Sequence, residues 1–246
     1  MPHRLSGLLL FPLLVGVWAL VAEILPPQSR YLFPAPLAVA RALGESLGVL
    51  WQGTVASMMI LIPGYLLAVL AAVLFGIPVG ATTWARHFFA PLMRVAAPVP
   101  PTVYVPYAIA LLPTFRTSAI FVVFIGAFWP VFLGAVSGAA TVPERHRDNA
   151  RVLGFGRWEY WRRVAFHAAL PAIFNGMGVG MAMAFILLTV AELFGANVGL
   201  GHFVQYYADF ADYPRMVAGI IYTGAVTFSA MTLLAKLQKR MLFWNV

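Results

Sequence analysis

Long uncharged stretches alternate with short charged segments along most of the chain. A helix needs about 20 predominantly apolar residues to cross the hydrocarbon core of a bilayer. Six stretches approach that length, and they are apolar over their whole extent rather than on one face. The pattern therefore predicts an all-α polytopic membrane protein, with one transmembrane domain that covers residues 1–246. We expect its six spans at about residues 5–24, 55–79, 95–113, 118–140, 170–191 and 216–235.

The first stretch would also suit a secretory signal, because Arg4 precedes an apolar run. The run is long for the core of a signal, and Pro26 and Pro27 make a poor cleavage context. A retained first span is therefore favoured.

The second stretch is too long for a single span, since residues 46–85 carry no charge. Trp51 to Thr54 is predicted to mark a membrane interface, because tryptophan is enriched there. The preceding residues 36–50 are then expected to form a short amphipathic helix on the membrane surface.

The third stretch is rich in proline, which removes a backbone donor and clashes with the preceding turn. A broken or kinked third span is predicted, with the break facing protein or water, because lipid cannot satisfy the freed carbonyls. Its five prolines are Pro98, Pro100, Pro101, Pro106 and Pro113.

The composition agrees with a lipid environment. Hydrophobic residues make up 62% of the chain and charged residues only 10%, against about 25% charged in an ordinary soluble domain. The net charge of +8 is not taken as a sign of nucleic-acid binding, because no soluble basic module is visible. The chain has no cysteine, which excludes disulfides and thiolate metal sites.

The loop charges predict the orientation. Twelve basic residues fall on one predicted face and four on the other, and the face with more lysine and arginine is normally cytoplasmic. Both termini are therefore expected on the cytoplasmic side of the membrane. The twelve are Arg4, Arg86, Arg94, Arg145, Arg147, Arg151, Arg157, Arg162, Arg163, Lys236, Lys239 and Arg240, and the four are Arg30, Arg41, Arg116 and Arg215.

Three glycine pairs lie inside the predicted spans, at Gly76/Gly80, Gly134/Gly138 and Gly176/Gly180. Glycines four residues apart let a second helix approach closely. Glycine is also simply common in membrane helices, so the sequence leaves both interpretations open for each pair.

The largest predicted cytoplasmic loop, residues 141–166, carries helix signals of its own. Pro143 can begin a helix with Glu144 in its first turn, where the helix dipole favours an acid. That helix would run to about Leu153, and Gly154 is a plausible stop. Such a helix could hold a cytoplasmic partner through apolar contacts, or it could lie on the membrane surface without one.

This loop resembles the signature of binding-protein-dependent importer permeases. Asp148-Asn149-Ala150 stands where that family has Glu-Ala-Ala. Three residues then separate Ala150 from Gly154, and nine separate Gly154 from Val164, as in the family pattern. The Leu-Pro position of the family holds Phe166-His167, and Leu170-Pro171 follows four residues later. These departures do not indicate a different fold. They suggest that the partner ATPase of such a permease would carry a groove matched to this altered loop.

Further stretches resemble the nitrate/sulfonate/taurine-type branch of the same family. Their order and spacing along the chain carry the resemblance more than any single match does. They are residues 32–36, 76–80, 98–106, 190–192 with 199–201, and the basic tail 240–244 that ends in Trp244.

The resemblance implies a permease subunit of an ABC importer, located in a bacterial plasma (inner) membrane, that works by alternating access. The loop helix would be the coupling helix, seated on a separate ATPase that holds ATP and Mg²⁺, so this chain is expected to carry no cofactor and no catalytic residue. The chain itself has no G-x-x-x-x-G-K-[ST] segment. A second permease copy and an external solute-binding protein are the other implied partners. The coupling residues would be Asp148, Asn149, Ala150, Arg151, Leu153 and Gly154.

Candidate residues for a translocation path are few. Glu192 is an acid near the outer end of the fifth span, which suggests a functional residue or one that reaches water or a local partner. Tyr104 and Tyr107 accompany the proline-rich backbone of the third span. The outer loop holds His202, Asp209 and Asp212, in a spacing that matches no trusted metal motif.

The main alternative is a stand-alone secondary transporter or channel. That class usually carries buried acids or paired charges within its spans, and the central spans here are nearly free of charge. A scaffold without transport activity is the second alternative. The substrate is not readable from the residues, and a small organic or inorganic anion is the expectation that the resemblance supports.

Overall fold

A computed structural model of the protein describes residues 2–26 and 31–243, with side chains from residue 12 onward. Arg30 and Trp244, which entered the charge count and the family resemblance, lie outside the described residues, as do both chain ends. The described residues form helices and connecting segments without a β-strand. The helices are α1 (Pro2–Ile24), α2 (Pro36–Ala81), α3 (Thr83–Ala96), α4 (Tyr104–Leu111), α5 (Phe115–Ala140), α6 (Glu144–Val152), α7 (Arg157–Tyr160), α8 (Phe166–Gly195), α9 (Leu200–Asp209) and α10 (Tyr213–Met241).

Four helical segments of the described chain are long and apolar enough to cross a membrane. They contain the predicted second, fourth, fifth and sixth spans. The first and third predicted spans correspond to shorter apolar helices, Pro12–Ile24 and Pro101–Leu111, so six spans remain a prediction. The four long segments are Pro36–Ala81, Phe115–Ala140, Arg157–Gly195 and Tyr213–Met241.

The predicted separation of a surface helix over residues 36–50 from a span that begins at residue 55 is wrong. Helix α2 runs without interruption for 46 residues, which corresponds to about 70 Å of helix. No proline stands between Leu50 and Val55 to end the helix. Another backbone packs against Gly53, where a Cβ would lie 3.2 Å from the carbonyl carbon of Gly199.

The proline-rich stretch is divided between two helices. Residues 97–100 between α3 and α4 are not helical, and a 3₁₀ turn over Pro101–Val103 leads into α4. Pro106 falls in the first turn of α4, where its missing N–H costs little. Pro113 follows the end of that helix. The five prolines of this stretch therefore lie at helix ends or between helices rather than in helix interiors.

The described residues divide into two compact units, of which the first comprises Met1–Ala56 and Asn197–Val226. One of its apolar clusters joins Val39 and Ala42 of α2 to Ala218 of α10, with Trp18 of α1 packed against them. The Trp18 indole donates a hydrogen bond to the Pro34 carbonyl at 3.1 Å. A second cluster consists of Leu50, Leu200 and Phe203.

The second unit comprises Ser57–Ala196 and Thr227–Val246, and its centre is the close antiparallel packing of α5 against α8. A Cβ at Gly134 would lie 2.5 Å from the Ala172 carbonyl oxygen, and one at Gly176 would lie 2.5 Å from that of Pro130. Real Cβ atoms do not approach so closely, so only glycine allows this separation of the two backbones.

All three predicted glycine pairs are confirmed as sites of close helix packing. Gly138 meets Ala169 of α8, and Gly180 meets Ala127 of α5. Gly76 and Gly80 of α2 serve the same purpose against α5, where they face Phe132, Ala135, Val136 and Ala139. The interpretation that these glycines merely reflect membrane composition is therefore wrong.

Large apolar side chains cover the outside of α2 in this unit. Leu66, Leu67, Leu70, Leu74 and Phe75 are each more than half exposed. A soluble protein would seldom expose such a continuous apolar surface. In a bilayer the same side chains would lie against lipid.

Candidate functional site

Helix α6 is short and strongly charged, and a glycine follows its carboxyl end. Pro143 stands at its amino end, and Glu144 lies in the first turn, as the sequence predicted. At its carboxyl end the Gly154 N–H donates to the Arg151 carbonyl at 3.0 Å and the Phe155 N–H donates to that of Ala150 at 2.9 Å. Gly154 has a φ of 72°. These bonds form a Schellman motif, whose left-handed residue is usually glycine.

The predicted coupling residues are divided between the exposed and buried faces of this segment. Ala150 is only 4% exposed, so in this conformation it packs within its own chain instead of facing a partner. Val152 and Leu153 are 86% and 69% exposed. Asp148 and Arg151 are also exposed and form an ion pair at 3.2 Å, which contributes little to stability in water. Asn149 lies on the exposed part of the same helix.

The chain returns from α6 to α8 through α7 and a π-helical turn over Trp161–Ala165. Ala165 is fully buried beside Ala169 and Ile173, so the end of the loop is packed against α8. The Arg163 guanidinium lies 5.5 Å from the centre of the Phe155 ring. Because these contacts join the end of α6 to the start of α8, a displacement of the loop would be transmitted to that helix.

A cavity of about 880 Å³ lies between α3, α5 and α8, and we call it the helix groove. Helix α3 contributes Arg86 and Arg94, which stand two turns apart, about 12 Å along the axis. Helix α8 contributes Asn175, and α5 contributes Ser137. No acidic side chain is among the residues that line the helix groove, so its electrostatic field favours anions.

The predicted path residues do not line the helix groove. Glu192 is 1% exposed and accepts a hydrogen bond from Ser57, so the interpretation that it reaches water is wrong for this conformation. Tyr107 is 66% exposed, and Tyr104 is half-buried at the start of α4. The three residues therefore differ in exposure, and none of them lines the helix groove.

Sequence reasoning missed the helix groove because Arg86 and Arg94 were counted only as loop charges. Their spacing with Ala90, in steps of four residues, places all three on one face of a helix. That spacing was the available signal, although it does not reveal Asn175, which comes from a distant part of the chain.

His202 and Asp209 of α9 and the following Asp212 make local contacts in the first unit. Asp209 accepts a hydrogen bond from Gln205 at 2.7 Å, and Asp212 pairs with Arg215 at 2.6 Å. His202 stacks obliquely near Tyr206. Within the described residues no group of three or more His, Cys, Asp or Glu side chains is placed to hold a metal ion.

Long apolar helices and an exposed apolar surface indicate a polytopic membrane protein. Residues 64–243 match the family described as the inner membrane component of binding-protein-dependent transport systems. The chain belongs to this family.

The curated relatives include several named import permeases. The chain is 32% identical to the taurine transport system permease protein TauC of Escherichia coli over 94% of its own length and 86% of that protein. It is 30% identical to the nitrate import permease protein NrtB of Leptolyngbya laminosa, over 76% of its own length and 66% of that protein. The bicarbonate transport system permease protein CmpB of Synechococcus elongatus is 29% identical, over 80% and 70%.

The chain matches only about two thirds or less of the length of two of the nitrate permeases. The matched region covers 66% of the Leptolyngbya protein and 59% of the nitrate permease of Synechocystis. The relatives share the family, and their names give three different substrates: nitrate, taurine and bicarbonate.

Proposed function

We propose that the chain is the membrane-spanning permease subunit of an ABC importer, and that it moves a small anion by alternating access. ATP hydrolysis would take place on a separate ATPase subunit that holds the nucleotide and Mg²⁺. Family membership supports the class. Nitrate, bicarbonate and taurine in the names of its relatives each contain an anionic group, which supports the substrate class.

Helix α6 carries the proposal, since it is a short helix that projects exposed apolar side chains. Val152 and Leu153 would insert into a groove of the ATPase, and Asp148, Asn149 and Arg151 would make the surrounding polar contacts. Ala150 would hold the helix against its own chain. Gly154 would end the helix at the position that keeps Leu153 exposed.

The rigid attachment of this loop supports a mechanical role. A push on α6 would pass through Ala165 into α8, and glycine contacts at Gly134 and Gly176 bring the backbones of α8 and α5 close together. Packed helices respond to such a push by moving as bodies rather than by deforming. The expected result is a change in access to the helix groove.

The helix groove would form part of the anion path. Arg86 and Arg94 would attract an anion electrostatically, and Asn175 and Ser137 would offer hydrogen bonds without a fixed charge. Such a path binds weakly enough to release its substrate. We infer that two copies of the chain pair to enclose the path, and that an external solute-binding protein delivers the substrate and sets most of the selectivity.

Purification of the tagged chain from solubilised native membranes tests this proposal. Recovery of a soluble ATPase in an amount equal to the permease is expected, together with ATPase activity that rises when a loaded solute-binding protein is added. Val152→Ser combined with Leu153→Ser should lower the recovered ATPase by at least tenfold.

Val198→Ser is the matched control, because Val198 is 55% exposed and far from α6 in sequence. It should leave recovery of the ATPase unchanged. Equal recovery with the Val152/Leu153 variant and the control would contradict the role of α6.

A stand-alone carrier is the second candidate, and the buried Glu192 carboxyl is the observation that favours it, because carriers use such acids to couple ions. In that case the purified chain would lack a nucleotide-binding partner. Uptake into vesicles would then respond to a proton gradient rather than to ATP.

A further inference from the structure

A second, smaller cavity lies at the inner side of α6. Its volume is about 460 Å³, and we call it the arginine pocket. It lies where α6 and α7 meet the junction of α2 and α3, and all of its lining residues belong to the second unit. It is separate from the helix groove and shares none of its residues. Six lining residues matter here: Thr82, Thr83, Arg147, Arg151, Arg157 and Tyr160.

Two of the residues that line the arginine pocket each carry a polar side-chain atom that is buried without a hydrogen-bond partner among the described residues. These are Nε of Arg147 and the hydroxyl of Tyr160. Buried donors in native proteins are nearly always paired, and one left unpaired costs about 1–3 kcal/mol. The lining of this cavity therefore includes two polar groups that the described chain does not satisfy.

The electrostatic surroundings specify the charge of that acceptor. Arg147, Arg151 and Arg157 line the arginine pocket, and no acidic side chain does. Arg151 pairs with Asp148, but both side chains are more than half exposed, so the pair neutralises little of the field. Guanidinium groups match the geometry of oxyanions through paired N–H donors.

The amino end of α3 lies at the same cavity. Thr82 and Thr83 line the pocket at the start of this 14-residue helix, and the Thr82 side chain makes no capping hydrogen bond. The first N–H groups of a helix lack partners within the helix and carry partial positive charge. An oxyanion placed there would accept from backbone, hydroxyl and guanidinium donors together.

We propose that the arginine pocket binds an oxyanion, either a free sulfate- or phosphate-like ion or the phosphate of a lipid headgroup. The inference rests on the pocket alone and holds whether or not the chain is an ABC importer. Because the pocket opens beside α6, its occupancy would fix the position of this helix.

Equilibrium binding of radiolabelled sulfate to the full chain in detergent, at constant ionic strength in chloride, tests the proposal. Saturable binding of one sulfate per chain is expected, with competition by inorganic phosphate. Arg147→Gln and Tyr160→Phe should each weaken binding by at least tenfold, because each removes a donor to a charged group. Tyr160→Phe keeps the ring that packs in the core, so this variant should still fold.

Arg145→Gln is the matched control, because Arg145 lies on α6 and is exposed but does not line the pocket. Its affinity should stay within twofold of the unmodified chain. Native mass spectrometry distinguishes the two sources of the oxyanion. A retained phospholipid that is lost in Tyr160→Phe, with no exchange for sulfate, identifies the lipid phosphate.

Two results would overturn the proposal. One is the absence of both saturable sulfate binding and a retained phospholipid. The other is an equal loss of affinity in Arg145→Gln and Arg147→Gln, which would mean that sulfate responds only to net charge. Neither result bears on the transport function, since the measurement uses the permease chain without an ATPase.

Discussion

Ser57 of α2 donates a hydrogen bond from its hydroxyl to Oε1 of Glu192 in α8, and the two oxygens lie 2.5 Å apart. Ser57 is fully buried and Glu192 is 1% exposed. A buried carboxyl is costly unless its oxygens are hydrogen-bonded. The serine hydroxyl therefore helps to keep an acid inside a helix of membrane-spanning length.

Ser57→Ala should destabilise the protein by about 1–3 kcal/mol, because it removes a buried hydrogen bond to a carboxyl group. The measurement is the melting temperature of the purified chain in detergent. Ser137→Ala is the control, since Ser137 is exposed and bonds only to the Gly134 carbonyl of its own helix. A Ser57→Ala melting temperature equal to that of the control would show that the bond contributes nothing.

Gly176→Ala should destabilise the packing of α5 against α8 by about 1–3 kcal/mol, because the added methyl group would overlap the Pro130 carbonyl. Gly178→Ala provides a matched control in the same helix. A Cβ at Gly178 meets nothing within 4 Å, so this change should be neutral or should stabilise the helix by about 0.5–1 kcal/mol. Thermal unfolding of both variants checks the prediction, and equal effects would contradict it.

Gly154→Ala should cost about 1–2 kcal/mol, because alanine is strained at a φ of 72°. The Schellman motif would loosen, and the exposed end of α6 would lose its fixed position. Thermal unfolding and coupled ATPase activity are the two measurements, and both should fall.

Gly156→Ala is the control for the helix stop, since Gly156 has a φ of −68° and open space around its α-carbon. A loss of coupling in Gly156→Ala as large as that in Gly154→Ala would show that the left-handed conformation is not what matters.

Arg94→Gln should reduce anion uptake into proteoliposomes by about tenfold at low salt, because the helix groove would lose half of its fixed positive charge. The difference should shrink as salt is added and screens the remaining field. Arg116→Gln is the control, because Arg116 is exposed and does not line the groove. Uptake that is unaffected by Arg94→Gln would exclude the groove from the path.

The sequence anticipated features whose signals are local. Gly154 stops a helix because its own backbone adopts a left-handed conformation, and a glycine after a charged run is a recognisable mark of such an end. The glycine pairs were equally visible, since a spacing of four residues places both on one helix face. Neither feature depends on knowing which helix is the neighbour.

The features that were missed depend on distant parts of the chain. Ser57 and Glu192 are separated by 135 residues. The sequence around each residue does not predict the hydrogen bond between them. The continuous course of α2 was missed because a tryptophan and a glycine near residue 52 resembled an interface. Gly53 instead accommodates the backbone of Gly199, which only the folded chain reveals.

The contact between α5 and α8 also limits which walls of the helix groove can move. Where two backbones touch through glycine, no rotamer change can open a gap between them. The floor of the groove, which α5 and α8 form, should therefore move as one rigid body. Helix α3 is joined to α4 by the non-helical residues 97–100 and is free of such a constraint at that end. Any widening or narrowing of the groove should therefore come from its arginine-bearing wall. Spin labels across the floor would keep a constant separation throughout a transport cycle.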